Sequence, residues 1–83
     1  MRILYFAWLR EKIGQAQEEC DVPQHVTTPR ALIDWLRTRS PAYDAAFADI
    51  TVLRCAVNQE FCTFDASLTG ATEIAFFPPM TGG

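Results

Sequence analysis

The order of local signals predicts an α+β domain, a mixed sheet of about five strands with one main helix packed on one face. Three observations predict it. Several short runs are rich in aromatic and β-branched residues and are bounded by turn residues, as strands are. One stretch, opening at Thr28-Pro29, carries apolar residues at helical spacing. That stretch follows two strand-like runs and precedes three, so the element order is β-β-α-β-β-β. One helix covers only one face of a small sheet.

Residues 2–10 predict the first strand, apolar on both sides. Ile3, Tyr5, Ala7 and Leu9 line one face; Leu4, Phe6 and Trp8 line the other. A half-exposed edge strand would alternate with polar residues instead. Residues 11–17 are polar, contain Gly14 and predict a loop. Residues 18–22 predict a short second strand, closed by Pro23.

Thr28 is placed to cap a helix whose first position is Pro29. Leu32, Trp35, Leu36 and Arg39 follow at helical spacing, with Arg30, Asp34 and Arg37 on the other side. Leu32, Trp35 and Leu36 are read as core. Ser40-Pro41 repeats the start signal and predicts a second short helical segment over 41–48.

Residues 53–57 and 61–64 flank Asn58-Gln59, which fits a two-residue hairpin turn. Leu53, Cys55 and Val57 then share a face with Cys62 and Phe64, and Arg54, Ala56, Phe61 and Thr63 share the other. The register sets Cys55 opposite Cys62. A bridge is not expected there. Counted out from the turn, the two fall at a hydrogen-bonded pair, whose spacing suits a disulfide poorly, and the expected compartment is reducing. Residues 65–72 are turn-rich, with Gly70. Glu73–Phe77 predicts the last strand, with Ile74 and Phe76 on one face and Ala75 and Phe77 on the other.

A chain of 83 residues is one domain near the small end of what folds without staples. Half its residues are apolar, which argues against disorder and is generous for so small a core. The net charge of −3, without a Lys/Arg cluster, argues against nucleic acid and anionic membrane as partners and favours a basic protein surface. The apolar runs fall far short of a membrane span, and no signal segment opens the chain, so a cytoplasmic location is expected. Three cysteines, Cys20, Cys55 and Cys62, match no metal spacing and are read as packing residues, so no metal site is expected. His25 is read as a solvated surface side chain. The scattered carboxylates form no acid/base constellation, and neither a phosphate loop nor a nucleophile–base arrangement is present in the sequence.

Two features remain unaccounted for. Phe6, Phe61 and Phe77, with Leu4 and Trp8, point to the face that the helix does not cover, and such an apolar patch on a small domain marks a partner site. The chain then ends on Pro78-Pro79-Met80-Thr81-Gly82-Gly83. The prolines end the strand and hold the next residues extended. Fully extended, this tail reaches at most roughly 20 Å beyond the sheet. Its last two residues lack side chains, so it can thread a channel too narrow for any Cβ, with backbone and a carboxylate at its tip. The plainer reading of such a segment is a frayed terminus.

Phe76-Phe77-Pro78-Pro79-Met80-Thr81-Gly82-Gly83 resembles the end of the small, sulfur-carrying subunits of molybdopterin synthase, within the ubiquitin-like β-grasp superfamily. Ala56-Val57-Asn58-Gln59, Leu4-Tyr5-Phe6-Ala7 and Arg10-Glu11 support the resemblance, which spans essentially the whole chain. The chain departs from the family pattern at Gly70-Ala71-Thr72-Glu73.

The resemblance implies a β-grasp domain over 1–83 with 78–83 as a protruding tail. It implies that an ATP-using, nucleotide-binding partner of the ubiquitin-activating type adenylates Gly83. A sulfur donor system then displaces AMP and leaves a thiocarboxylate. The tail, with Gly82 threading, delivers that sulfur to a cyclic pyranopterin precursor in the large synthase subunit. Phe6, Phe61, Phe77, Pro78, Pro79, Met80 and Thr81 are the implied partner contacts, in a heterotetramer of two small and two large subunits. No cofactor is implied on this chain, and the catalytic side chains are expected on the large subunit. Three other readings share parts of the pattern: a sulfur carrier for thiazole synthesis or RNA thiolation, a ubiquitin-like protein modifier, and a β-grasp iron–sulfur protein. The last would need a four-thiolate site, and three scattered cysteines do not supply it.

Overall fold

The computed structural model describes residues 1–79. Its elements in chain order are β1 (Arg2–Tyr5), α1 (Ala7–Ile13), β2 (Gln17–Glu19), α2 (Pro29–Arg37), α3 (Pro41–Ala46), a 3-10 turn (Ile50–Val52), β3 (Arg54–Val57), β4 (Glu60–Cys62) and β5 (Glu73–Phe77). The strands form one sheet in the order β2-β1-β5-β3-β4. β1 and β5 run parallel, and the other neighbours are antiparallel. The sheet is therefore mixed, as expected, with the first and last strands side by side at its centre.

The strand expected over 2–10 is cut in two. β1 stops at Tyr5, and Ala7 takes a left-handed φ of 54° that swings the chain into α1. No glycine marks this turn, and the aromatic content of the run favours a strand locally. Tertiary packing decides otherwise, because a helix lets Leu9 reach the core with nothing of it exposed. Ile13, one helical turn on, packs against the same core. The loop expected over 11–17 is likewise half helix. Gly14, read as a loop signal, closes α1 in a left-handed C-cap at φ 91°, its N–H donating to the Arg10 carbonyl at 2.8 Å. Two side chains change place as a result. Ala7 is exposed and not inward, and Trp8 stands on α1 with the Lys12 ammonium 5.6 Å from its ring centroid.

The remaining elements follow their local signals, with shifted ends. α2 begins at Pro29, and Thr28 Oγ1 accepts from the Ala31 N–H at 3.1 Å. Leu32 and Leu36 are fully buried, as is the neighbouring Ile33; Trp35 is half-buried with the Arg39 guanidinium 5.1 Å from its ring centroid. α3 begins at Pro41 and ends at Ala46, two residues short of the expected 41–48. Phe47, at its C-cap, is fully buried and lies edge-on to Phe76 at 5.3 Å. β2 is shorter than the expected 18–22, yet the Cys20 N–H still donates to the Met1 carbonyl at 2.9 Å.

The core lies between one face of the sheet and the helices. Ile3, Tyr5, Cys55, Ile74 and Phe76 alternate inward along their strands, and α2, α3 and Leu9 close over them. At its edge Glu18 gathers four donors: Tyr5 Oη at 2.7 Å, Tyr43 Oη at 2.5 Å, and Cys20 Sγ and Arg39 Nη1 at 3.3 Å each. Burial alone would raise the Glu18 carboxyl; the bonds from Tyr43, Tyr5 and Cys20 and the Arg39 charge outweigh it and hold the group below the usual range. Burial first, and then the bond to Glu18, push Tyr43 up to about 12.

Candidate functional site

The face opposite the helices carries the site. Its residues arrive there by strand alternation. Phe61 on β4 pairs with Ala56 on β3, and Ala56 pairs with Ala75 on β5, so an aromatic and two small residues lie in one row across the sheet. Phe77, two residues beyond Ala75, stands on the same face, with its ring centroid 5.7 Å from that of Phe61. Phe6 follows β1, and its N–H donates to the Phe76 carbonyl at 3.2 Å, which continues the parallel pairing and sets Phe6 beside Phe77.

Phe6, Ala7, Phe61, Ala75, Phe77, Pro78 and Pro79 line an open groove of about 530 Å³. Small residues form its floor and aromatic rings and prolines its walls; none of the lining residues carries a charge. Phe61 is 84% exposed and Phe6 45%, which is unusual for such large apolar rings in a small domain. The sequence reading brings Phe6, Phe61, Phe77, Pro78 and Pro79 together, and the structure places all five on this groove. It leaves Trp8 off the lining, because Trp8 belongs to α1. It adds Ala7 and Ala75 as floor. Alternation along the last strand, which sets Ala75 on the face of Phe77, points to Ala75; nothing local points to Ala7, whose position depends on its left-handed turn.

Asn58 holds the groove's two walls in register. It sits at φ 49° and Gln59 at φ 70°, the left-handed pair that a tight two-residue hairpin requires. Its Oδ1 accepts from the Thr72 N–H at 3.0 Å, the Thr72 hydroxyl at 3.2 Å and the Glu73 N–H at 3.1 Å. The hairpin that presents Phe61 is thereby tied to the start of the strand that presents Phe77. The segment before that strand makes a turn with Gly70 at φ 74° and the Ala71 N–H donating to the Leu68 carbonyl at 3.0 Å.

β5 leaves the sheet at the groove's edge through Pro78 and Pro79. The other site residues read from the sequence, Met80, Thr81, Gly82 and Gly83, lie outside the described residues. Among the described residues no group of three or more His, Cys, Asp or Glu side chains could hold a metal ion, and no helix is long and apolar enough to cross a membrane. The three thiols are free; Cys20 and Cys55 are buried, and Cys62 is half-buried. His25 is exposed. Among the described residues the arrangement offers an open, uncharged apolar groove that ends at Pro78 and Pro79.

The chain is similar to known proteins over essentially its whole length. Residues 3–83 match the ThiS family. The chain is 37% identical over 83 residues to the molybdopterin synthase sulfur carrier subunit of Escherichia coli, covering all of this chain and 99% of that one. It is 30% identical over 83 residues to the subunit of the same name from Haemophilus influenzae, with the same coverage. Among solved structures, SAMP1 from Haloferax volcanii superposes with a TM-score of 0.75 at 25% identity, covering 100% of this chain and 98% of that one.

Proposed function

The chain belongs to the ThiS family, homologous from end to end to molybdopterin synthase sulfur carrier subunits, and on that premise we propose that its C-terminal carboxyl group is its reactive centre. The observation that carries the reading is positional. An uncharged aromatic groove sits at the root of a segment that ends in Gly82-Gly83. In this reading residues 1–77 form the docking body of a single domain, and 78–83 form the arm.

A free carboxylate is a poor electrophile, because its acyl carbon carries no good leaving group. An ATP-using partner of the ubiquitin-activating type transfers AMP to Gly83, releasing pyrophosphate. Sulfur from a donor system attacks the acyl carbon and displaces AMP, which leaves a thiocarboxylate. The groove docks on the large synthase subunit through Phe6, Phe61 and Phe77, while Pro78, Pro79, Met80 and Thr81 guide the arm inward. Gly82 and Gly83 present the sulfur to a cyclic pyranopterin precursor, and two such deliveries build the molybdopterin dithiolene. The chain's contribution is to raise the local concentration of sulfur at the substrate and to exclude water around it. The acid/base groups belong to the large subunit, and a pair of each subunit completes the assembly.

The test compares wild type with a variant lacking Gly83. Each is incubated with the activating enzyme, ATP and a sulfur donor, and its intact mass is read. Wild type gains the difference between one sulfur and one oxygen. The shortened chain gains nothing, because its acyl group stops about 3.5 Å early and ends on a different residue. Molybdopterin formation by the shortened chain in a purified assay would overturn the reading.

A further inference from the structure

Cys55 and Cys62 face each other across the β3–β4 hairpin, with their sulfurs 3.6 Å apart. They lie on the inner side of the same two strands whose outer side carries the aromatic groove. A second cavity, of about 280 Å³, is lined by both cysteines together with Arg54, Phe61, Phe77 and Pro79, so the pair sits at the sheet end from which β5 departs. Cys55 is 1% exposed, whereas Cys62 is half-buried on the edge strand β4. The proposed sulfur-carrying chemistry uses neither thiol, and the reactivity of the pair is independent of it.

The geometry points to Cys55 and Cys62 as a reversible thiol–disulfide site that reacts with small-molecule disulfides. The backbone permits the bond: a hydrogen-bonded antiparallel pair holds its Cα atoms about 5.5 Å apart, inside the range that disulfides span. The same pairing holds the Cβ atoms about 5.5 Å apart, where a relaxed disulfide has about 3.8 Å. The bond is therefore strained, and strained disulfides are readily reduced. That strain makes the site reversible.

The order of events follows from access. Cys62 loses its proton to solvent and its thiolate attacks one sulfur of the small disulfide. A mixed disulfide forms on Cys62, and one small thiol leaves, protonated. The Cys55 sulfur, in contact with that of Cys62, then attacks it. The bond between Cys62 and the small molecule breaks, the Cys55–Cys62 bond forms, and the second small thiol leaves with the remaining proton. Two protein thiols are oxidised and one small disulfide is reduced to two thiols. Burial, together with Cys62, pushes the Cys55 thiol up, so Cys55 acts only as the second partner.

The experiment uses the full chain and oxidised glutathione. After incubation, the protein is quenched in acid, denatured and alkylated, and its mass and unreduced peptide map are read. Wild type loses two of its three alkylatable thiols, the map links Cys55 to Cys62, and reduced glutathione restores both. Cys55→Ala, which lacks the second partner, accumulates one glutathione on Cys62. Cys62→Ser, at the half-exposed edge position, retains both of its remaining thiols. Three alkylatable thiols in treated wild type would overturn the proposal, as would a glutathione adduct on wild-type Cys62 that never resolves. Loss of two thiols from Cys62→Ser would overturn it as well, because the pair would then involve Cys20.

Discussion

Asn58 accepts three hydrogen bonds at one oxygen, and all three donors belong to Thr72 and Glu73. The side chain is exposed, so water can replace part of what its removal takes away. Asn58→Gly keeps the left-handed backbone and removes the side chain with its acceptor; it is expected to lower stability by about 1 kcal/mol in urea denaturation. Asn58→Ala keeps a Cβ at φ 49° without the polar side chain that lets asparagine adopt the left-handed region, and is expected to cost about 1 kcal/mol more than Asn58→Gly. Equal stability of Asn58→Gly and wild type would show that the Oδ1 bonds contribute nothing. Glu18 is the second residue with leverage. Its folded carboxyl lies below the ordinary value of 4.5, so its contribution is fully present above that value and is lost as pH falls through the lowered one. Glu18→Gln is expected to lose about 2 kcal/mol at neutral pH, because charge-assisted bonds from Tyr5 and Tyr43 become neutral ones. The gap between the two proteins should close in acid, and a gap independent of pH would assign the loss to packing.

At the scale of elements, the contrast is between α2 and α1. α2 carries its own start in Thr28-Pro29, and the hairpin carries its own turn in Asn58-Gln59; each signal acts on neighbouring residues, so each was legible. α1 has no such signal. Phe6 at its N-cap makes no side-chain capping bond, and Ala7 holds a φ that an L-residue adopts at a cost. Ala7→Val is expected to lower the denaturation midpoint by the equivalent of more than about 1 kcal/mol, because a β-branched residue is least tolerant of positive φ. Ala7→Gly should be neutral or slightly stabilising, since relief of strain is offset by a more flexible unfolded chain. If Val were tolerated as well as Gly, the left-handed turn would not be what ends β1.

For the molecule as a whole, the consequence of a one-sided helical layer is an open aromatic face. Phe61 contributes little to the fold, being 84% exposed, so replacing it probes docking alone. Phe61→Asp is expected to leave the circular dichroism spectrum and the unfolding midpoint near wild type. In a titration with the large synthase subunit it should weaken association by more than about 1–2 kcal/mol, as a charge placed within an apolar contact does. Unchanged affinity would remove Phe61 from the docking surface. The variant lacking Gly83 separates the two halves of the proposed function, since it should still dock while failing to accept sulfur.

Local chemistry determined the hairpin register, the starts of α2 and α3, the inward set Ile74 and Phe76, and the aromatic trio of the outer face. In each case the signal lies within a few residues: a turn pair, a proline at the first helical position, or alternation along one strand. Tertiary structure decided the division of 2–10 into β1 and α1, the burial of Phe47, and the placing of Ala7 on the groove floor. These depend on the parallel pairing of β1 with β5, which joins Ile3 to Ile74 and Tyr5 to Phe76 across nearly the whole length of the chain. Until that pair forms, Phe47 has no Phe76 to pack against, and Leu9 has no core to enter. A contact between residues so far apart leaves no periodicity or turn signal in either segment, so the helix that follows β1 becomes readable only when the ends of the chain meet.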